Sequence, residues 1–217
     1  MTITHLKSAG PDAPAAAAEV ADTVQIMLAR LRAGGAQVAL DYARQLDRWE
    51  DEITVSAARI AQAEAALPRA LKDDIAWAHD NITRFAEAQR ATARVAGVPD
   101  ITAVSPPNGA AGIPDAMIHA MQLAGATRIL TIGGVQAIAA MAFGLFGAPP
   151  ADILVGPGNA YVAEAKRQLF GPVGIDMFAG PTDSLSRAER MEGHARSADI
   201  RLDKLAGPAN LVANAKG

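Results

Sequence analysis

The 217-residue sequence contains no cysteine. That absence excludes disulfide scaffolds, Cys-ligated zinc, iron–sulfur clusters and thiol catalysis, and it fits a reducing cytoplasm. Aromatic residues make up only 4% of the chain. With alanine heavily used, this points to many close-packed helices. A basic surplus is missing too: 20 Lys and Arg stand against 23 Asp and Glu, a net charge of −3. Nothing in that balance favours a nucleic-acid backbone as partner. No run reaches the roughly 18 uninterrupted apolar residues of a membrane span. The opening MTITHLKSAGPDAP lacks the basic-then-apolar build of a secretory signal. The expectation is a cytoplasmic protein with neither nucleic acid nor membrane as partner. At 50% apolar and 20% charged, the chain can bury a sizeable core, which excludes disorder as its main state.

The pattern changes character near residue 93. Before it helices dominate. Ala15–Ala33 is amphipathic, with Val20, Val24, Met27, Leu28 and Leu31 at helical spacing, and Gly34-Gly35 ends it. A second helix runs through Val38, Leu40, Tyr42, Ala43 and Leu46. Glu52–Val55 reads as a short strand. Ser56 reads as the N-cap of a helix over Ala57–Leu67. Pro68 opens a long helix through Ile75, Ala78, Ile82, Phe85 and Ala86, because its missing N–H costs nothing in a first turn.

After residue 93 strands and helices alternate: strands at Ile101–Val104, Arg128–Ile132, Ile153–Val155 and Ile175–Phe178, helices at Pro114–Leu123, Val135–Phe146 and Ala160–Phe170. Strands separated by helices of this length predict right-handed βαβ units and a parallel sheet. Leu185–Leu205 reads as one charged helix, and the closing AGPANLVANAKG as a frayed tail. The expected organisation is an N-terminal helical region (1–92), an α/β nucleotide-binding-like domain (93–185) and a C-terminal helix with its tail (186–217).

In a parallel sheet ligands collect at the carboxyl ends of the strands. Three turns there stand out: Ile132-Gly133-Gly134-Val135-Gln136, Val155-Gly156-Pro157-Gly158-Asn159, and Phe178-Ala179-Gly180-Pro181-Thr182-Asp183. Glycine admits a ligand close to the backbone, and free N–H groups at a helix start favour anions. The amides of Gln136 and Asn159 sit where they could bind a nucleotide. Gly and Pro also punctuate such turns in any α/β protein, and none of the three is a G-x-G-x-x-G or Walker loop. The four histidines (His5, His79, His119, His194) form no paired metal spacing. On a helix Glu189 and His194 stand about 140° apart, so they do not share a face. Ser184 and Ser186 lack a G-x-S-x-G elbow.

The stretches Gly133–Ala140, Val155–Arg167 and Gly174–Pro181, in that order and spacing, resemble the histidinol dehydrogenase family. The resemblance is specific over Ala93–Leu185, extends to the N-terminal helices and resumes at Glu189–Leu205, which looks like the family's C-terminal helix. It implies an α/β fold with an incomplete Rossmann-like parallel sheet. It also implies a zinc-dependent, NAD-linked enzyme, an intertwined homodimer that oxidises an amino alcohol through an aldehyde to a carboxylate. By motif, Gln136 and Asn159 take cofactor-binding positions, Glu189 a substrate position and His194 a zinc-ligand position.

Two departures accompany the likeness. The family carries Ser then Glu after the last Gly-Pro turn; here Thr182, a substrate-binding position, is followed by Asp183. This pair, with the opening Thr4–Ala9, resembles relatives that oxidise sulfonated diols. The family is also far longer. The segments it would place between Thr92 and Ala93, and between Leu185 and Arg187, have no counterpart. The second would carry the remaining zinc ligands and the catalytic Glu-His pair, so no catalytic residue is assigned here. One imidazole does not hold a catalytic zinc, which takes about three protein ligands. The reading is therefore alcohol oxidation by a complete protein and no turnover by this chain alone. The alternative is a catalytically inactive paralogue or fragment, serving as a nucleotide-binding or dimerisation module.

Overall fold

A computed structural model describes residues 13–89, 97–176 and 210–214. Helix α1 spans Ala13–Tyr42 and breaks its axis at Gly35, whose φ of 58° and ψ of −140° are non-helical. The break falls at the Gly34-Gly35 pair because a residue with a side chain rarely takes that φ. Val24, Met27, Leu28 and Leu31 are buried before the break, and Ala39 and Ala43 after it. The chain then widens into a π-helical turn over Ala43–Asp47, closed by Arg48 in the left-handed conformation (φ 53°). Helix α2 spans Ala57–Ala66. Its N-cap is Ser56, whose hydroxyl accepts from the Arg59 N–H at 3.2 Å. Helix α3 covers Arg69–Gln89, starting directly after Pro68.

Strand β1 (Asp100–Ser105) is followed by α4 (Asp115–Leu123), β2 (Arg128–Thr131), α5 (Gly134–Phe143), β3 (Ile153–Val155), α6 (Ala160–Leu169) and β4 (Gly174–Ile175). Strand β5 (Asn210–Asn214) completes a sheet of order β2-β1-β5-β3-β4. β1 pairs parallel with β2, and β3 with β4. β5 runs antiparallel to both β1 and β3. The sheet is therefore mixed, and the expected frayed tail contains its middle strand. The expected strand at Glu52–Val55 shrinks to one antiparallel bridge, Thr54 to Leu130, because Ser56 turns the chain into α2 one residue after Val55.

Successive strand residues face opposite sides of the sheet, and the core divides accordingly. Val104, Leu130 and Ile132 join the cluster built with α1, α5 and α6. Ala103 and Ile129 join the cluster with α2 and α4. Helices thus cover both faces, as a parallel sheet requires. The Arg59 guanidinium pins α2 to the start of α4, pairing with Asp115 at 2.6 Å and donating to the Ile113 carbonyl. Among the described residues no helix is long and apolar enough to cross a membrane.

Candidate cofactor site

The chain moves from β1 outward to β2, then returns past β1 and continues from β3 outward to β4. The direction of winding switches between β1 and β3, where β5 lies. Ligands of doubly wound sheets bind at the carboxyl edge by that switch point. Both the β2–α5 turn and the β3–α6 turn open on this edge.

At the first turn Gly133 caps α5 and Gly134 follows with a φ of 61°. The Gly133 N–H does not face solvent: it donates to Oδ2 of Asp47 at 3.1 Å. The same oxygen accepts from Nε2 of Gln136 at 3.1 Å. Gln136 is 1% exposed, and its Oε1 has no partner among the described residues. A Cβ on Gly133 would lie 2.8 Å from Pro106 Cβ, and one on Gly134 would lie 3.0 Å from Gln136 Oε1. Two glycines are needed here, one for packing and one for the backbone turn and the space beside the amide.

At the second turn Asn159 caps α6, and its Oδ1 accepts from the Val162 N–H at 3.0 Å. The cap uses the carbonyl of the amide and leaves Nδ2 outside the capping hydrogen bond. The turn is held from beneath. Oδ2 of Asp176 accepts from the Gly156 N–H at 2.9 Å. Lys166 Nζ donates to the Gly156 carbonyl and pairs with Asp176 Oδ1 at 3.0 Å. Lys166 is 3% exposed, so a buried ammonium and a partly exposed carboxylate satisfy both backbone groups of one glycine. On the outer face of α6, Arg167 hydrogen-bonds Glu164 and holds its carboxyl below the ordinary value, with Gln168 adding to the effect. Gln168 also donates to the Ala21 carbonyl at 2.9 Å, tying α6 to α1.

The described residues therefore bring Gln136 and Asn159 to one edge, the first buried and the second exposed. Thr182, Glu189 and His194 lie outside the described residues, as do the Thr92–Ala93 and Leu185–Arg187 junctions. No group of three His, Asp or Glu side chains converges on a metal position among the described residues. Sequence reasoning missed Asp47 and the Lys166–Asp176 pair. Asp47 carried one faint signal: an acidic residue at a helix C-terminus opposes the helix dipole, which asks for a reason.

The family model described as histidinol dehydrogenase matches residues 12–93 and 90–190. The chain belongs to the histidinol dehydrogenase family. A histidinol dehydrogenase homolog of Ruegeria pomeroyi is 53% identical over 87% of this chain and 54% of that relative. The sulfopropanediol 3-dehydrogenase of the same organism is 45% identical over 88% of this chain and 54% of its own length. The crystal structure of histidinol dehydrogenase from Elizabethkingia anophelis superposes with a TM-score of 0.69 at 26% identity, over 82% of this chain and 50% of that one. The chain spans about half the length of the curated relatives it matches.

Proposed function

We propose that these residues form the cofactor-binding half of an NAD-linked, zinc-dependent dehydrogenase of the cytoplasm that works as a homodimer. It would oxidise an alcohol through an aldehyde to a carboxylate. The observation that carries the reading is the buried Oε1 of Gln136, without a partner among the described residues, beside a Cβ-free turn at the switch-point edge. A buried amide oxygen without a partner is costly, and a ligand at this edge would satisfy it. NAD, when bound, supplies the hydride acceptor. This chain's part is to grip it, with Gln136 accepting and the Asn159 Nδ2 donating. Thr182 and Glu189 would bind substrate, an amino alcohol or, as the 45% identical relative's name favours, a sulfonated diol.

Zinc does not fit this chain by itself. Only His194 is assigned to it, and about three protein ligands are required. No general base is assigned to this chain either, and the lack of one would cost roughly 10²–10⁴-fold. The chain alone therefore binds cofactor without turnover, and the whole reaction belongs to a longer protein. A second reading, a nucleotide-binding or dimerisation module, is favoured by β5, which fills the centre of the sheet from within this chain.

Intact mass of the protein purified from its natural host separates the readings. A mass near 22.4 kDa supports the module; roughly twice that supports the enzyme. The larger form is then titrated with NAD, assayed for zinc with and without His194→Ala, and screened against histidinol and sulfonated diols. Zinc content unchanged in His194→Ala refutes the ligand assignment, and no NAD binding refutes the cofactor site.

A further inference from the structure

We infer that Asp47 is a positioning residue of the cofactor site: it locks the Gln136 amide with Oε1 turned away from the carboxylate and towards Gly134, so this turn takes a neutral hydrogen-bond donor and repels phosphate. The inference rests on the proposed cofactor reading. A carboxylate only accepts hydrogen bonds. Asp47 Oδ2 already receives the Gly133 N–H, so the Gln136 amide must turn Nε2 towards it. The flipped amide would set two oxygens against each other in a buried place. The orientation follows from the chemistry of Asp47, and it leaves Oε1 as a fixed acceptor. That oxygen is buried, and a Cβ on Gly134 would crowd it at 3.0 Å.

The charge follows from the same contacts. A helix start ordinarily attracts anions. Here a carboxylate has taken the Gly133 N–H, and no Lys, Arg or His among the described residues pairs with Asp47. At close range a second anion is disfavoured. The turn is therefore built for an N–H or O–H of the cofactor, a ribose hydroxyl or an amide, with its diphosphate held elsewhere.

The test uses the full chain, its wild type and Asp47→Asn. Calorimetry measures NAD and inorganic pyrophosphate separately, and 15N NMR follows the Gln136 side-chain amide. An asparagine at 47 can donate as well as accept, which releases the lock and removes the charge. The expected result is about tenfold weaker NAD binding, unchanged or tighter pyrophosphate binding, and loss of the slow exchange of the Gln136 amide protons. A merely structural role for Asp47 weakens both ligands together, and that outcome overturns the inference. Gln136→Met serves if Asp47→Asn does not fold: it removes the acceptor at similar volume, and unchanged NAD affinity again overturns the inference. If wild type binds no NAD, the cofactor reading fails on its own. The amide spectrum then still decides the lock: unchanged exchange in Asp47→Asn refutes it.

Discussion

Two glycine turns open on the same edge of the sheet, and in each a carboxylate has taken a glycine N–H. Their sources differ. The β2–α5 turn is reached by Asp47 from 86 residues upstream, and no ion pair to Asp47 forms among the described residues. The β3–α6 turn is reached by Asp176 from 20 residues downstream, with buried Lys166 alongside. Among the described residues, one turn holds a carboxylate with no ion-pair partner and the other a carboxylate paired with an ammonium. A strand-to-helix turn thus has no fixed preference for anions. The residue that arrives from elsewhere in the fold sets it.

The sharpest way to break the comparison is Lys166→Met. It takes the ammonium away from Asp176 Oδ1 and from the Gly156 carbonyl. Removing one member of a buried pair costs about 3–5 kcal/mol; the partial exposure of Asp176 favours the lower figure. Chemical denaturation measures it, and a loss below about 1 kcal/mol means that the pair does not hold the turn. Gly134→Ala acts on the other turn. Placing a Cβ at φ 61° costs roughly 1–2 kcal/mol, and the methyl shields Gln136 Oε1. NAD affinity falls with it, and calorimetry that shows no fall removes the turn from the site.

Asn159→Ala is milder. Loss of an N-cap costs about 1 kcal/mol, read as a lower denaturation midpoint. The smallest effect is a pH difference at Glu164. Its carboxyl is held below the ordinary value of 4.5, first by the hydrogen bond from Arg167. The stabilisation is full above that ordinary value and fades as pH falls through the depressed folded value. Wild type should lose stability over that acid window, and Glu164→Gln should lose less. Parallel acid-unfolding curves for the two contradict the assignment.

Local signals made most of the fold legible. Ser56 announced α2, Gly34-Gly35 the break in α1, and the apolar runs at 129–132 and 153–155 the strands, because each depends on near neighbours in sequence. The positions of Gln136 and Asn159 at helix starts after glycine turns were legible too. Asp47, Lys166 and β5 were not. Asp47 acts through a contact made only when α1 packs on α5. A lysine on a helix ordinarily extends to water, and Lys166 stays buried because Asp176 meets it. The Asn210–Asn214 segment is short and Asn-flanked, and it becomes a strand only because β1 and β3 leave a place between them. Strand propensity reflects that surrounding more than the residues themselves.

The place of β5 also bears on how the protein is made. The strand that joins the two ribbons of the sheet leaves the ribosome some 35 residues after Ile175. At 5–20 residues per second that is a delay of about 2–7 s. Throughout it, the facing edges of β1 and β3 present unpaired backbone to any other extended chain nearby, the template from which misassembly starts. Any residues added between 176 and 210 in a longer form of the protein lengthen that interval in proportion.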